Sequence, residues 1–323
     1  GMEDRKMKIV FFGTSEFGAI ILEKLVQAGL SPVLVVTTPD KPAGRKQEFT
    51  SPPVKLIAEK FKLPIFQPAN LVNSAIAELT RQKIDMFIVA AYGKILPKGI
   101  LNIPQYGALN VHPSLLPKYR GPSPIQTAIL NDEDETGVTI MLMDEKMDHG
   151  PIVANSKFEF RNSKFTYPEL HSKLAEIGAD LLVKMIPDWI EGKIKPVPQD
   201  EGKATYTRIL KKEDGKIDWN QPATEIERQV RALTPWPGTF TLFKGKTLKI
   251  LKASVLPGTL PKPGLGRITP GAVFLTAEKK LAIKCGGDAL LVEELQLEGG
   301  KPMSAREFLL GHKDFLGIVL SPA

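Results

Sequence analysis

A chain of 323 residues is long for one hydrophobic core and points to two domains, and no apolar run approaches the roughly 20 residues that a bilayer-crossing helix needs. Its 42% hydrophobic and 24% charged residues are ordinary for a globular protein, and one cysteine, Cys285, excludes an internal disulfide or a thiolate metal cluster, as expected in a reducing cytoplasm. The net charge of +7 is uneven: residues 1–205 carry 25 Lys and Arg against 24 Asp and Glu, whereas residues 206–323 carry 18 against 12. The start, Gly1-Met2-Glu3-Asp4-Arg5-Lys6-Met7, lacks the apolar stretch of a secretory signal, and Gly1 ahead of Met2 reads as a cloning remnant. The apolar run Lys8-Ile9-Val10-Phe11-Phe12 then ends at Gly13, and Ile20, Ile21, Leu25 and Val26 give residues 16–28 a helical period. Between them, Gly13-Thr14-Ser15-Glu16-Phe17-Gly18 has Ser15 where a dinucleotide fingerprint needs its second glycine, so a tight turn is expected there.

A β-branched run at 32–37 is followed by the polar insertion Thr38-Pro39-Asp40-Lys41-Pro42-Ala43-Gly44-Arg45-Lys46-Gln47. Its length and its Gly and Pro content suit either a mobile functional loop or a surface insertion, and Arg45 and Lys46 suit contacts with phosphates. Helix-like 54–61, strand-like 63–66, helix-like 73–82 and strand-like 86–91 come next. This alternation predicts an α/β domain with a doubly wound, mostly parallel, Rossmann-like sheet, whose ligands bind beyond the carboxyl ends of its strands. Strands at 136–143 and 152–160 and a long helix within 167–192 complete the first domain, 1–192. The polar, proline-punctuated stretch 193–206 reads as a linker. In 207–323, a helix at 223–233 precedes short strand-like pieces at 240–243, 247–255, 271–275, 281–283 and 290–296, which predict a smaller OB-like β-barrel. The basic excess of this domain fits a lysine-rich solvated surface or a patch for a polyanion, and charge alone does not separate the two.

The chemistry concentrates in Gly107-Ala108-Leu109-Asn110-Val111-His112-Pro113-Ser114-Leu115-Leu116-Pro117 and in Met147-Asp148-His149-Gly150. Along a strand, Asn110 and His112 share one face. Alone, each is an ordinary loop residue; together at a strand's carboxyl end they point to a site. If the fold brings the Asp148 carboxylate near His112, it would favour the imidazolium, whose N–H could join the Asn110 amide in stabilising a tetrahedral oxyanion. Asp148 can take or relay the proton of an attacking amine, directly or through water. The four histidines (112, 149, 171 and 312) include no pair at helical ligand spacing, so no metal is expected, and His149 is assigned a loop role.

The run Asn110-Val111-His112-Pro113-Ser114-Leu115-Leu116-Pro117-Lys118-Tyr119-Arg120-Gly121 resembles the formyltransferases that use 10-formyltetrahydrofolate, as do Glu135-Thr136-Gly137-Val138-Thr139 and Met147-Asp148-His149-Gly150. The insertion Pro39-Asp40-Lys41-Pro42-Ala43-Gly44-Arg45, the run Ser123-Pro124-Ile125-Gln126 and the basic tail with Thr234-Pro235-Trp236-Pro237 resemble the branch that acts on a charged tRNA. The resemblance implies Asn110, His112 and Asp148 as the catalytic trio. It implies Ser114, Leu115, Leu116 and Pro117 as a folate-binding segment, with Lys94, Ile95 and Leu96 flanking the pterin. Arg45, with Lys46 beside it, would contact initiator methionyl-tRNA, and the enzyme would be a cytoplasmic monomer with 10-formyltetrahydrofolate as co-substrate. Pro113 stands where many members of the tRNA branch have glycine, and His149 where threonine is common. A formyltransferase for a small amine, such as a ribonucleotide or nucleotide-linked sugar, would keep the same trio. An RNA-binding module on a degenerate enzyme fold would not need the trio intact.

Overall fold

Strands that are apolar at every position must be covered on both faces. The computed structural model, which describes residues 5–257 and 268–321, meets that demand with a parallel sheet in the first of two compact units. Residues 1–4, with the Gly1 that precedes Met2, lie outside the described residues. The first unit comprises Gly1–Pro124, Asp134–Arg161 and Pro168–Arg208. Its elements run β1 (Ile9–Gly13), α1 (Glu16–Gln27), β2 (Leu34–Val36), β3 (Lys41–Ala43), β4 (Glu48–Thr50), α2 (Pro53–Lys60) and β5 (Ile65–Phe66). They continue with α3 (Asn73–Thr80), β6 (Met86–Ala90), α4 (Lys98–Leu101) and β7 (Ala108–His112). After α5 (Pro124–Leu130), counted almost wholly with the second unit, come β8 (Glu135–Leu142), β9 (Ile152–Glu159) and α6 (Tyr167–Ile190).

Seven of these strands form one sheet in the order β5-β2-β1-β6-β7-β8-β9. The pairs from β5 to β7 are parallel, and β8 and β9 add an antiparallel edge. Both β1 and β6 are buried at all five positions, as their unbroken apolar sequences require. The chain steps outward from β1 to β2 and β5, then returns to set β6 on the other side of β1, so the winding reverses there. The carboxyl ends of β1, β6 and β7 therefore share the edge at which such sheets take ligands. The glycine turn after β1 serves close packing: a Cβ on Gly18 would lie 2.5 Å from the Ala90 carbonyl oxygen.

The polar insertion forms a hairpin, β3 against β4, with every residue from 41 to 50 exposed. Its base is tied down through Asp40, whose carboxylate accepts from Lys55 Nζ at 2.9 Å and from Gln67 Nε2 at 2.8 Å. Residues 193–206, read from the sequence as a connector, lie on the first unit: Val197 bridges Ile152, and Tyr206 bridges Arg120. Each pairing is a single bridge, too short to leave a strand-like pattern.

The second unit holds α7 (Ala223–Leu233), β10 (Thr239–Phe243), β11 (Lys246–Val255), β12 (Val273–Leu275), β13 (Leu281–Lys284), β14 (Ala289–Leu297), β15 (Met303–Ser304) and α8 (Ala305–Gly311). Its antiparallel sheet, β10-β11-β14-β13-β12 with β15 on β14, curls into a half-barrel. Register shifts between Ile250 and Ala253 put irregularity where β11 crosses β14, a local device for bending a sheet. Trp219, Ile226, Leu248, Ile283 and Phe308 fill the core with Cys285, where burial pushes the thiol pKa up to about 12. Among the described residues, no helix is long and apolar enough to cross a membrane.

His171 on α6 is buried with its ring edge-on to Phe17 at 5.6 Å, and burial lowers its pKa below the ordinary 6.5. A histidine held neutral by folding contributes stability that is intact above its unfolded pKa and is lost as pH falls. The thermal midpoint should therefore drop from pH 7 to about pH 5.5, and His171→Leu should flatten that slope. An equally steep fall in the variant would contradict the assignment.

Candidate active site

Strand β7 places Asn110 beside Val89 of β6 and Met141 of β8, and sets His112 opposite Thr139. The two residues share a face by the period of the strand. Asn110 is half-buried, and one N–H of its amide donates to the Val89 carbonyl at 3.3 Å, leaving the second N–H to serve another acceptor. His112 is 6% exposed. Its Nε2 lies 2.9 Å from the Tyr119 carbonyl oxygen, a group that only accepts, so Nε2 carries a proton and donates it there. The other nitrogen, Nδ1, lies 3.6 Å from Asp148 Oδ1.

Asp148 reaches this position from the connection between β8 and β9, with a left-handed φ of +52° that Asp tolerates better than most residues. Its Oδ2 accepts the backbone N–H of Gly121 at 2.7 Å. Gly121 itself has φ +103°, and a Cβ there would sit 2.8 Å from the Thr207 carbonyl oxygen, so only glycine brings this N–H to the carboxylate. Two residues on, Gly150 packs so closely that a Cβ would overlap the Leu142 carbonyl oxygen. The structure thus joins His112 and Asp148 directly and sets Asn110 on the same strand face.

The segment after His112 spends its polar groups on its own shape. Ser114, 1% exposed, donates through Oγ to the Lys118 carbonyl at 2.6 Å. Thr139 Oγ1 donates to the Ser114 carbonyl at 2.7 Å and accepts the Leu116 N–H at 3.0 Å. Leu115 is half-buried, Leu116 is buried before a cis bond to Pro117, and the Pro117 carbonyl accepts the Thr205 N–H at 3.1 Å. On the loop after β6, Lys94 Nζ donates to the Ala69 carbonyl, Ile95 is 81% exposed and Leu96 is buried in the core. Arg45 and Lys46 stand at the exposed turn between β3 and β4.

Sequence reasoning missed Arg120, Gln199 and Glu201. The Arg120 side chain is 3% exposed, and a guanidinium so buried needs acceptors for its fixed fork of donors. It donates to Gln199 Oε1 at 3.1 and 2.9 Å, to both Glu201 carboxylate oxygens at 3.0 and 2.7 Å, and to the Tyr206 hydroxyl at 3.0 Å. The Arg120 fork holds the Glu201 carboxyl below the usual carboxylate range, and Glu201 raises the guanidinium in turn. His149 caps the array, with Nδ1 2.6 Å from Asp144 Oδ2 and Nε2 3.4 Å from Glu201 Oε1. The arginine's place in the motif was visible, but nothing in the polar stretch around Gln199 marked it. A groove of about 360 Å³ between α1 and α6, lined by Lys24, Asp180 and Lys184 among others, is set against the last turn of α1, away from the strands' carboxyl edge.

Residues 7–186 match the formyl transferase family, and residues 209–313 match the formyl transferase C-terminal domain. A methionyl-tRNA formyltransferase of Chloroflexus aurantiacus is 45% identical over 311 residues, covering 95% of this chain and 98% of that protein. One from Caldanaerobacter subterraneus subsp. tengcongensis is 42% identical and covers 97% and 100%. The chain belongs to the methionyl-tRNA formyltransferase family. Its fold is shared with HypX from Aquifex aeolicus, solved with tetrahydrofolic acid, at a TM-score of 0.63 and 17% identity. That match covers 94% of this chain and 47% of HypX, so the chain spans about half the length of that neighbour. It is also shared with an N-formyltransferase of Helicobacter canadensis, at a TM-score of 0.62 and 20% identity over 88% of this chain and 98% of that one. For this formyltransferase, Gly150→Ala should cost about 1–3 kcal/mol, because the methyl group meets backbone that cannot step aside. Urea unfolding measures the loss, and wild-type stability would contradict the close approach at Leu142.

Proposed function

We propose that the chain transfers the formyl group of 10-formyltetrahydrofolate to the α-amine of methionine esterified to initiator tRNA, giving N-formylmethionyl-tRNA for translation initiation. The observation that carries the reading is the His112–Asp148 pair beside Asn110 at the carboxyl end of β7, in a chain so similar to methionyl-tRNA formyltransferases over its whole length. Catalysis is assigned to this trio.

The co-substrate supplies an activated formyl group. Exposed, apolar Ile95 beside the strand ends suits a flat ring, and the 114–117 turn, its hydroxyl already engaged, offers backbone and apolar surface. Ser114, Leu115, Leu116, Pro117, Lys94, Ile95 and Leu96 are the residues assigned to hold it. The attacking amine must be neutral, and an aminoacyl ester amine sheds its proton more readily than a lysine. As the amine bonds to the formyl carbon, negative charge grows on the acyl oxygen, which the free Asn110 N–H and, in its doubly protonated form, the His112 ring stabilise. Because Nε2–H is committed to the Tyr119 carbonyl, the ring donates from Nδ1 only when it carries a second proton. Asp148 takes or relays the proton leaving the amine, and collapse of the adduct breaks the bond from the formyl carbon to N10, so that tetrahydrofolate leaves with a proton on that nitrogen. Arg45 and Lys46 on the hairpin turn, and the basic second unit, offer contacts to the tRNA phosphates. The reaction belongs to the cytoplasm, with the protein acting as a monomer.

His112→Ala should lower kcat by about 10²–10⁴-fold with tRNA affinity little changed, read by formylation of charged initiator tRNA. Near-normal turnover would remove the histidine from the chemistry. Arg45→Ala should instead raise KM for tRNA several-fold at constant kcat, and unchanged tRNA kinetics would remove the hairpin from recognition. Formylation of a small amine in preference to charged initiator tRNA would overturn the choice of acceptor.

A further inference from the structure

We infer that Gln199 is the positioning residue for Asp148, held in its one working orientation by Arg120. The inference rests on the proton-handling role proposed for Asp148. Gln199 Nε2 donates to the Asp148 carbonyl at 2.9 Å and to the Gly150 carbonyl at 2.7 Å. Its Oε1 accepts from Arg120 Nε and Nη2. The two carbonyls can only accept and the guanidinium can only donate, so rotating the amide by half a turn would make all four contacts repulsive. The side chain, 9% exposed, therefore has a single satisfied orientation.

The clamp grips the backbone on both sides of His149, the residue after Asp148, where φ of +52° needs external support. The dipeptide Arg120-Gly121 acts on Asp148 from two directions. Its glycine N–H holds carboxylate Oδ2, and its arginine, through Gln199, holds the main chain that carries the carboxylate. The carboxylate is thus fixed at both ends while Oδ1 faces His112 Nδ1. Glu201 and Tyr206 occupy the remaining Arg120 donors, so the arginine cannot swing away without leaving buried N–H groups unpaired.

The test compares Gln199→Glu, which aims carboxylate oxygens at two carbonyls, and Gln199→Met, which keeps the length and removes the amide. Each is assayed for formylation of charged initiator tRNA, alone and combined with Asp148→Asn. Both Gln199 variants should lose about 10–100-fold in kcat, with both KM values within about threefold, at an assay temperature where each is fully folded, the unpaired buried groups lowering the melting temperature by only a few degrees. In the Asp148→Asn background, the same substitutions should add less than about threefold, because the clamp acts only through that carboxylate. If Gln199→Glu is unfolded at the assay temperature, Gln199→Met decides: a kcat loss in fully folded protein supports the clamp, and full turnover overturns it. Additive losses in the double variants, or losses that track melting, overturn it as well. Asp148→Asn at full turnover would instead overturn the proton role itself, and the inference with it. A strongly impaired Asp148→Asn beside fully active Gln199 variants would sink the clamp alone.

Discussion

Burying a guanidinium obliges the surrounding chain to supply acceptors, and in the first unit that obligation falls on Arg120. Its donors draw together Gln199, Glu201 and Tyr206, residues about 80 positions further along the chain. Glu201 remains half in water, with its side chain 56% exposed, so its ion pair with Arg120 contributes little stability by itself. The value of the pair is geometric. A planar fork satisfied on both edges has one placement, and Lys could not reproduce it. That placement fixes the Gln199 amide, and with it the main chain around Asp148.

The same economy of polar groups shapes the turn between His112 and Gly121. Ser114 and Thr139 satisfy one another's neighbourhood rather than facing outward, and the result is to deliver two backbone groups to the site. One is the Tyr119 carbonyl, from a residue at φ +57°, which selects the protonated nitrogen of His112. The other is the Gly121 N–H, which selects one oxygen of Asp148. Backbone groups are suitable for this work because they do not rotate independently of the fold. In the proposed reaction, donors already aimed at the developing charge need no reorganisation as it forms.

Local pattern made the frame legible. The unbroken apolar runs of β1 and β6 announced buried parallel strands, and the two-residue spacing announced that Asn110 and His112 share a face. Asp148 could be tied to them by the chemistry it completes and by the family motif but by no local pattern, because the contact joins the loop after β8 to the end of β7. Gln199 left no local trace at all: a glutamine among prolines and charges looks like a solvated connector until Arg120 is seen against it. The hairpin at 41–50 was hidden for a different reason. Its strands are three residues long, contain Pro42 and bury nothing, so no hydrophobic period records them. β15, with two residues, and the short helix α8 escaped in the same way.

Tight placement and loose placement serve different ends in this unit. Of the residues assigned to the chemistry, His112 is buried and Asp148 half-buried, and each of these two is held from two sides, since a displacement of about 1 Å can cost a hundredfold in rate. Those assigned to phosphate contacts sit at an exposed turn whose base alone is anchored, through Asp40 to Lys55 and Gln67. The first of those bonds to matter for Asp40 is the Gln67 amide, which with Lys55 keeps the carboxylate below its usual range and so keeps the anchor charged. Long-range attraction to a polyanion depends on the sign of charge more than on angle, so an exposed, adaptable tip loses little by being less constrained. Proton transfer and oxyanion stabilisation fall off within tenths of an ångström, which is why the buried arginine, rather than the surface lysines, carries the geometric demands of the site.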